Sequence, residues 1–417
     1  MTSLSAPSVV GIIAEYNPFH TGHQYLIRQA KKLTGAKYAI AVMSGDFVQR
    51  GEPAIFNKYL RTRMALHGGA DLVIEIPSLF AVSSAEDFAA AGVSLLHRFH
   101  IVDFLCFGSE SGQLSTLQEI AHVLAAEPKI YQDQLRENMR AGLSFPAARA
   151  HALSLCLPDS KELQNSLNTP NNILGIEYLK ALSRLDSTIK PLTISRRGEG
   201  YHSTKLDGIT ASASAIRREL SMERPDFSQI SFHIPEELLP LYEKGAPLFP
   251  DDFSALLNYS LLNLFRESES TLSDFVDWMP EMASRMKNHL LDHGSWTERA
   301  MQLKTKNITY TRASRSLLHL LLGHKREDFC HFKQSGYALY GRILGFRQSA
   351  VPLLSRIKEH SDIPLVTKTA DARQLLSPDA YKLFSYDLYA SHIYQSVYCQ
   401  KHHDVMKNEY NQPVTIL

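Results

Sequence analysis

Two histidines near the start of the sequence have the spacing of a phosphate-binding motif. His20 and His23 flank Thr21 and Gly22, and five residues separate this segment from the apolar run SVVGIIA. If that run forms a strand and a helix begins at the histidines, the helix amides and dipole favour a bound phosphate there. Two imidazoles on one turn of a helix can donate hydrogen bonds to the same phosphate while charge develops on it. The spacing therefore predicts a phosphate site in which His20 and His23 are the catalytic residues.

The residues around the two histidines support this interpretation. An ordinary capped helix would also explain two histidines, and for an isolated motif we would favour that explanation. Here Asn17, Pro18 and Phe19 precede the motif immediately after the first apolar run, a context that favours a functional site. Gly22 lets phosphates approach the backbone closely, and Pro18 fixes the loop ahead of the helix.

A second segment, ITASASAIR over residues 209–217, carries further groups that bind phosphate. Ser212 and Ser214 place hydroxyls at a predicted helix start, and the guanidinium of Arg217 in the first turns can hold phosphate oxygens. Taken by itself, such a segment is explained by a serine N-cap. The presence of both segments in one chain favours a common phosphate site.

The first half of the sequence alternates short apolar runs with amphipathic stretches. The predicted strands cover residues 8–14, 38–43, 72–76, 103–107 and 190–195, and the predicted helices cover residues 23–33, 58–67, 85–99, 171–182 and 210–220. This alternation predicts a parallel, doubly wound α/β sheet. Right-handed crossovers then place the loops that follow the strands along one edge, where ligands bind.

The chain of 417 residues is too long for one ordinary core, so we expect at least two domains. A proline-bearing segment over residues 222–235 interrupts the alternating pattern, and helical periodicity with few strand candidates follows it. We therefore predict a catalytic domain over residues 1–225 and a mainly helical domain over residues 226–417.

Composition narrows the class of protein further. The 44 Lys and Arg residues nearly balance the 43 Asp and Glu residues, so a polyanion would need a local basic patch. The four cysteines are far apart without zinc-ligand spacing, and no dedicated metal-ligand set is predicted. Because no apolar run approaches the ~18 residues of a transmembrane helix and no signal peptide is visible, we expect a cytoplasmic protein without membrane association.

Six segments, in order along the chain, resemble one known family. They read GIIAEYNPFHTGH, SGDFVQRGEPAIFNKYLRTRMAL, FGSESG, PNNILGIEYLKAL, TISRRGEGYH and ITASASAIRREL, and they span residues 9–220. Together they resemble the tRNA(Met) cytidine acetate ligase family of the HxGH nucleotidyltransferases, with a weaker similarity over residues 304–322. The resemblance implies a HUP-type, Rossmann-like parallel sheet in the N-terminal domain, followed by a mainly helical C-terminal domain that binds tRNA.

The resemblance also implies a two-step reaction. Acetate and ATP would form acetyl-adenylate with release of pyrophosphate, and the acetyl group would pass to the exocyclic amine of the wobble cytidine in the anticodon region of elongator tRNA(Met). Magnesium is expected with ATP. The ATP contacts implied by the motif matches and by the phosphate chemistry are Ile13, Ala14, Glu15, Tyr16, Asn17, Pro18, Phe19, His20, Thr21, Gly22, His23, Gly108, Asn171, Asn172, Arg196, Ser212, Ser214 and Arg217.

The predicted contacts outside the histidine segment have structural alternatives. Gly108 ends a strand at the ligand edge, where either a nucleotide or a turn favours glycine. Asn171 and Asn172 lie at a predicted helix start, where an asparagine can either cap the helix or recognise adenine or ribose. The similarity to the family does not show which of the two asparagines contacts ATP. Arg196, which we prefer to Arg197, can neutralise a phosphate, and the alternative is an ordinary arginine on the solvated surface.

The loop over residues 44–53 is predicted to lie over the ligand edge. Arg50 and Lys58 are candidates for positioning phosphates or the acyl carboxylate, and a solvated loop is the alternative. Asp46 departs from the family pattern, in which we expect asparagine. A carboxylate near phosphates would repel them unless it faces away or binds a metal.

The densest basic stretch of the sequence is a candidate RNA surface. It consists of Arg299, Lys304, Lys306, Arg312 and Arg315, with Tyr310 among them. Arg312 and Arg315 lie one helical turn apart and can follow a phosphate backbone, while Tyr310 can stack on a base. A solvated charged face is the alternative.

Two other functions fit the same motifs. A small-molecule adenylyltransferase, which attaches AMP to a phosphorylated metabolite, would share the histidines but would not need a long helical domain with a basic stretch. A non-catalytic tRNA-binding protein with a regulatory nucleotide site would depend on Arg312 and Arg315 and would tolerate loss of His20.

Overall fold

The structure is a computed structural model that describes residues 7–157, 166–167, 169–196, 212–266, 271–292 and 294–417. Its strands are β1 Val9–Ala14, β2 Tyr38–Ser44, β3 Phe47–Val48, β4 Glu52–Pro53, β5 Leu72–Ile76, β6 Phe104–Ser109, β7 Lys190–Ser195, β8 Gly341–Phe346, β9 Leu365–Val366 and β10 Thr415–Ile416. The α-helices described are α1 Thr21–Thr34, α2 Lys58–His67, α3 Ser78–Ala81, α4 Ala85–Arg98, α5 Leu114–Ala126, α6 Lys129–Arg140, α7 Phe145–Cys156, α8 Pro170–Arg184, α9 Ala213–Leu220, α10 Phe227–Ser231, α11 Leu239–Glu243, α12 Ser254–Arg266, α13 Pro280–Asn288, α14 Trp296–Leu303, α15 Tyr310–Leu321, α16 Arg326–Gln334, α17 Val351–His360, α18 Ala372–Leu375 and α19 Pro378–His402.

One sheet carries the order β10–β8–β5–β2–β1–β6–β7, with β9 paired to β8. Its neighbouring strands are parallel except β5 and β8, which are antiparallel. At the carboxyl end of β1, Ala14 lies opposite Met43 of β2. The ends of β1, β2, β6 and β7 therefore reach one edge of the sheet, and the predicted doubly wound α/β fold is confirmed.

Helices cover both faces of this sheet. On one face α4 and α8 bury Phe88 and Ile176, and on the other face α1, α2 and α9 bury Ile27, Met64 and Ile216. Every residue of β2 is buried, as expected for a parallel strand covered on both sides. This double burial is the reason that the strands read as continuous apolar runs in the sequence.

The predicted elements of the first half agree closely with the structure. Helix α2 and strand β5 begin and end at the predicted residues. Helix α1 begins two residues earlier than predicted, at Thr21, because His20 itself is the N-cap. Residues 210–211 of the predicted helix at 210–220 lie outside the described residues, and α9 begins at Ala213.

The C-terminal half contributes more to the sheet than the sequence indicated. Strand β8 runs antiparallel to β5, and both β9 and β10 pair with β8. Periodicity alone does not distinguish a short apolar run such as GRILGF from part of a buried helix. Other C-terminal helices pack around Trp278, Trp296 and Tyr394 in a separate apolar cluster. The sheet thus includes strands from both sides of residue 225, and the division of the chain there remains a prediction.

All four cysteines, Cys106, Cys156, Cys330 and Cys399, are free thiols. Among the helices described, none is long and apolar enough to cross a membrane. Within the described ranges, no group of three or more His, Cys, Asp or Glu side chains is arranged to hold a metal ion.

Candidate active site

A cavity of about 900 Å³ lies at the carboxyl edge of the sheet, where β1, β6 and β7 end. This volume is in the range of small-molecule sites, roughly 300–1,000 Å³. The predicted ATP contacts that line it are Ile13, Ala14, Glu15, Tyr16, Asn17, His20, Thr21, Gly22, His23, Gly108, Asn171, Arg196, Ser212, Ser214 and Arg217. Pro18, Phe19 and Asn172 are buried and lie outside the lining, so the contact of these three residues with ATP stays a prediction.

The two histidines are locked in position by the backbone at the start of α1. Nδ1 of His20 accepts a hydrogen bond from the amide of Gly22 at 3.0 Å, and Nδ1 of His23 accepts one from the amide of His20 at 3.2 Å. The two rings stack with their centroids 3.8 Å apart. Because each Nδ1 accepts from an N–H group, each neutral ring carries its proton on Nε2. The histidines therefore offer two Nε2–H donors to a ligand in the cavity.

Gly22 has a role beyond the close approach of phosphates that its position predicts. A Cβ atom on Gly22 would lie 2.8 Å from Cε1 of His20. A side chain would therefore displace the His20 ring from the amide that it caps.

Burial keeps both imidazoles neutral. The pKa of His20 is lowered to about 3, first by burial and then by the positive charge of Arg196. The pKa of His23 lies well below its ordinary value, again because of burial first, with His20 and Arg196 adding to the effect. The two rings therefore act as neutral hydrogen-bond donors.

These histidines make stability depend on pH. His20, His319 and His324 are buried and His23 is half-buried, and removal from water lowers the pKa of each. Since the folded pKa is the lower one, the stabilisation is present above about pH 6.5, and it is lost as the pH falls and the unfolded chain takes up protons. Urea unfolding at a series of pH values should show a loss of about 1.4 kcal/mol per pH unit below ~6.5 for each such histidine.

His324→Gln is the matched variant for this prediction. His319 and His324 share a hydrogen bond between their Nδ1 atoms at 2.9 Å and lie outside the cavity wall. As the pH falls below ~6.5, the unfolding free energy of the variant should decrease by about 1.4 kcal/mol per pH unit less than that of the wild type. This difference is expected whatever the stability of the variant at neutral pH. A pH dependence equal to that of the wild type would contradict the prediction.

Helix α9 brings Arg217 to the cavity. Ser212 is the N-cap of α9 and accepts a hydrogen bond from the amide of Ala215. Arg217 donates from Nη1 to the carbonyl oxygen of Asn17 at 2.6 Å and from Nη2 to the hydroxyl of Ser214 at 3.1 Å. These contacts fix a permanently charged guanidinium beside the histidine segment, an arrangement suited to phosphate.

The ends of β6 and β7 form a second wall. Nη1 of Arg196 donates to Oδ1 of Asn171 at 2.8 Å, and Glu110 accepts from the side-chain amide of Asn171 at 2.6 Å. A Cβ atom on Gly108 would lie 3.3 Å from Cγ of Arg196, so glycine allows this arginine to lie across the end of β6. Asn172 instead accepts from the backbone amide of Glu110 at 2.9 Å. Of the two asparagines, Asn171 lies on the cavity.

The predicted loop over residues 44–53 contains a β-hairpin. Strands β3 and β4 pair antiparallel with Val48 opposite Glu52, and Arg50 in the turn lines the cavity with them. The amide of Gln49 donates to the carboxylate of Glu15 at 2.8 Å, which joins the hairpin to the end of β1. The hairpin is therefore an ordered wall rather than a solvated loop.

Asp46 and Lys58 face away from the cavity. Asp46 is buried and accepts hydrogen bonds from the amide of Lys58 and the hydroxyl of Ser391, each at 2.8 Å. The ammonium of Lys58 lies 3.0 Å from Glu75 and 3.1 Å from Glu409. Lys58 is therefore a buried structural cation, and the prediction that it positions phosphates is wrong. Asp46 raises no conflict with phosphates because it faces α19.

The basic stretch divides into buried and exposed side chains. Arg299 is buried and donates to backbone carbonyls within residues 289–292, so it does not belong to an RNA surface. Arg315 is mostly buried, and its Nε atom forms a salt bridge with Asp277 at 2.7 Å. Lys304 and Lys306 are exposed.

Helix α15 packs directly against the hairpin. The hydroxyl of Ser314 donates to the carbonyl oxygen of Gly51 at 2.7 Å. A Cβ atom on Gly51 would lie 2.3 Å from the amide nitrogen of Arg315, and the φ of Gly51 is +77°, so both space and backbone require glycine. Tyr310 and Arg312 at the start of α15 therefore lie beside the hairpin wall.

Sequence reasoning did not identify the apolar part of the cavity. It is lined by Phe88, Phe107, Leu174, Tyr178 and Phe232. Leu174 and Tyr178 are four residues apart on α8, a spacing that marks one face of a helix. Phe232 lies in the interrupted segment after residue 222, where no sequence pattern points to a ligand.

The chain is similar to one family of known proteins over nearly its whole length. The family model described as HIGH Nucleotidyl Transferase matches residues 8–409. The tRNA(Met) cytidine acetate ligase of Acetivibrio thermocellus is 38% identical over 98% of this chain and 100% of the relative. The tRNA(Met) cytidine acetate ligase of Caldanaerobacter subterraneus subsp. tengcongensis is 38% identical over 97% of this chain and 98% of the relative.

Solved structures agree with this similarity. Thermotoga maritima TmcAL without ligand has a TM-score of 0.91 and 29% identity, with 98% of this chain and 99% of that chain covered. Its form bound with alpha-thio ATP has a TM-score of 0.89 and 28% identity over the same shares of the two chains. The chain therefore belongs to the HIGH nucleotidyl transferase family and, within it, to the tRNA(Met) cytidine acetate ligase family.

Proposed function

We propose that this protein is an ATP-dependent ligase that activates acetate and acetylates the wobble cytidine of elongator tRNA(Met). The observation that carries the proposal is the pair of locked Nε2–H donors, His20 and His23, with Arg196 and Arg217 on the same cavity. Membership of the family supports it, because the relatives are named for this reaction and a TmcAL structure holds alpha-thio ATP.

In the first step the acetate oxygen attacks the α-phosphorus of ATP in line with the bond to the β-phosphate. A P–O bond to acetate forms, the P–O bond to pyrophosphate breaks, and acetyl-adenylate remains. Such displacements depend on positioning and on stabilisation of charge rather than on a covalent nucleophile. His20 and His23 donate to the phosphate oxygens, and Arg217 neutralises the charge that develops on the leaving pyrophosphate.

The nucleoside part of ATP lies against the cavity wall formed by the ends of β6 and β7. Gly108 leaves room there, and Arg196 is oriented by Asn171. A magnesium ion bound to ATP would supply charge neutralisation at the phosphates, and it would need few protein ligands because this ion keeps several waters. Among the described residues no group of three or more carboxylates or imidazoles is arranged to hold this ion by itself, which fits an ion held mainly by the phosphates.

The tRNA approaches from the side of α15. The hairpin that lines the cavity rests on this helix, and Lys304 and Lys306 are exposed close to its start. Exposed lysines near the cavity favour contact with the phosphate backbone. The wobble base would have to leave the stack of the anticodon loop to enter the cavity, which costs least in a single-stranded loop. The cytoplasm, where tRNA is available, is the proposed location.

Incubation with ATP, labelled acetate and total tRNA tests this function. We expect ATP–pyrophosphate exchange that requires acetate, and label that enters tRNA as acetylcytidine in the anticodon region of elongator tRNA(Met). A small-molecule adenylyltransferase would exchange pyrophosphate only when its phosphorylated acceptor is added, with or without acetate, and would leave tRNA unlabelled. A binding protein with a regulatory site would show neither reaction. Either result would overturn the proposal.

A further inference from the structure

The proposed acetyl transfer requires a proton acceptor. When the exocyclic amine attacks the carbonyl carbon of acetyl-adenylate, the C–N bond forms, and the bond from that carbon to the AMP oxygen breaks with its electron pair. The nitrogen must also give up one proton. An amine conjugated with a pyrimidine ring is a weak nucleophile, so a positioned base that removes this proton accelerates the step.

The two histidines are not available as this base. Their Nδ1 atoms accept backbone N–H groups at 3.0 and 3.2 Å, which leaves the protons on the Nε2 atoms. A ring nitrogen that already carries a proton donates and cannot accept another. The acceptor must therefore be sought among the carboxylates on the cavity wall.

Three carboxylates line the cavity, and two of them hold the wall together. Glu15 accepts from the amide of Gln49 at 2.8 Å. Glu110 accepts from the start of α8, including a contact of 2.6 Å with a side-chain amide. The carboxylate of Glu52 has no hydrogen bond or ion pair with any residue that the structure describes, although its backbone belongs to β4.

We infer that Glu52 is the general base that takes the proton from the attacking amine, an inference that rests on the proposed acetyl transfer. Its position is fixed, because β4 pairs with β3 and the carbonyl of Gly51 accepts from Ser314 at 2.7 Å. On the far side of the hairpin the ring of Phe47 packs edge-on against Tyr394. Glu52 is thus held at the cavity by packing rather than by contacts of its own carboxylate.

The charges around Glu52 place it between the adenylate and the RNA. Burial raises the pKa of Glu52. The positive charges of Arg217 and Arg50 lower this pKa, and the negative charge of Glu15 raises it. At the start of α15, burial raises the pKa of Tyr310, and the charge of the nearby Glu52 carboxylate adds to this rise. Arg217 belongs to the phosphate side of the cavity and Tyr310 to the proposed tRNA side. Between them is the place where the amine would meet the activated acetyl group.

Glu52→Gln tests the inference because it keeps the size of the side chain and removes its basicity. The two steps are measured separately: acetate-dependent ATP–pyrophosphate exchange for the first, and single-turnover transfer of labelled acetyl from enzyme-bound acetyl-adenylate to tRNA for the second. We expect transfer to slow by about 10²–10⁴-fold, with exchange within about threefold of the wild type. Glu237→Gln, which removes a carboxylate outside the cavity wall that contacts Gln24, should leave both rates unchanged.

The pH profile distinguishes a base from a structural role. Transfer by the wild type should rise with pH as Glu52 ionises and then level off, and Glu52→Asp should keep this shape at a lower rate. Glu52→Gln should lack the rise that accompanies ionisation of Glu52. The groups that face Glu52 are Arg217, Arg50, Glu15 and Tyr310, and all are intact in both variants.

Wild-type transfer rates in Glu52→Gln, or an equal fall of both steps, would overturn the inference while leaving the proposed function in place. The second result would assign Glu52 to ATP or its magnesium ion. A wild-type protein without acetate-dependent exchange would instead overturn the proposed function, and the inference with it.

Discussion

Replacement of His20 by asparagine is expected to slow acetyl-adenylate formation by about 10²–10³-fold while α1 keeps its stability. The His20 ring has two tasks in the structure: Nδ1 caps the amide of Gly22 at 3.0 Å, and Nε2 offers a proton to the cavity. The asparagine Oδ1 can take over the cap, since asparagine is among the best N-cap residues. It cannot place a donor where Nε2–H lies, so only the catalytic task is lost.

Acetate-dependent pyrophosphate exchange and urea unfolding together measure the two tasks of His20. His20→Ala should lose the same catalytic factor and, in addition, about 1 kcal/mol of unfolding free energy from the missing cap. His23→Ala should also lose adenylate formation, with tRNA affinity retained in both histidine variants. Exchange by His20→Asn within tenfold of the wild type would show that the Nε2 donor is dispensable. Equal loss of exchange and tRNA affinity in a folded variant would contradict the division of labour between α1 and the basic stretch.

The parts of the site that could be predicted are those set by local sequence. The apolar run of β1, the glycine at position 22 and the histidines lie within a few residues of one another, so strand, loop and helix start follow from one segment. Parallel alternation then places the ends of β6 and β7 at the same edge, and Gly108 and Arg196 with them. No long-range contact had to be known for these inferences.

The sequence does not show which lysines and arginines are buried, because burial depends on residues far along the chain. Arg61 is fully buried and donates to the carbonyl oxygens of Glu15 at 2.7 Å and Ser44 at 3.1 Å, so it supports the ends of β1 and β2. Arg299 satisfies carbonyls in the helical part in the same way, although it was a candidate for RNA contact. A sequence shows the charge of an arginine but not whether its partner is a phosphate or a backbone oxygen.

The protonation state of the site was likewise beyond the sequence. The spacing of His20 and His23 indicates phosphate donors, but only the contacts of Nδ1 establish which nitrogen carries the proton. That tautomer excludes the histidines as bases and directs attention to the hairpin carboxylate Glu52. The signal in the sequence was the segment QRGEP after β2, which marks a loop at the ligand edge without indicating which of its charges faces inward.

Replacement of Lys58 by methionine is expected to lower the unfolding free energy by about 3–5 kcal/mol, because one partner of a buried ion network is removed. Lys58 is completely buried, with Glu75 at 3.0 Å and Glu409 at 3.1 Å from its ammonium. Arg342 contacts the same two carboxylates from β8, the Glu75 contact being 3.1 Å. Burial raises the pKa of Glu409, but Lys58 and Arg342 outweigh it and lower this pKa to about 2. Without Lys58, the buried carboxylates Glu75 and Glu409 would share Arg342 as their cation, and the buried Asp46 would lose its ion pair with Lys58.

The double variant Lys58→Met with Glu409→Gln is the control for this prediction. It leaves Glu75 and Arg342 as a balanced pair, so urea unfolding should recover a large part of the lost stability. A single variant as stable as the wild type would mean that a carboxylate in this cluster is already protonated in the folded state. Because the network joins α2 to Glu409 near the end of the chain, the same measurement tests whether the C-terminal segment completes the fold of the catalytic sheet. Nucleotide binding by the folded fraction should be unchanged, since none of these side chains lines the cavity.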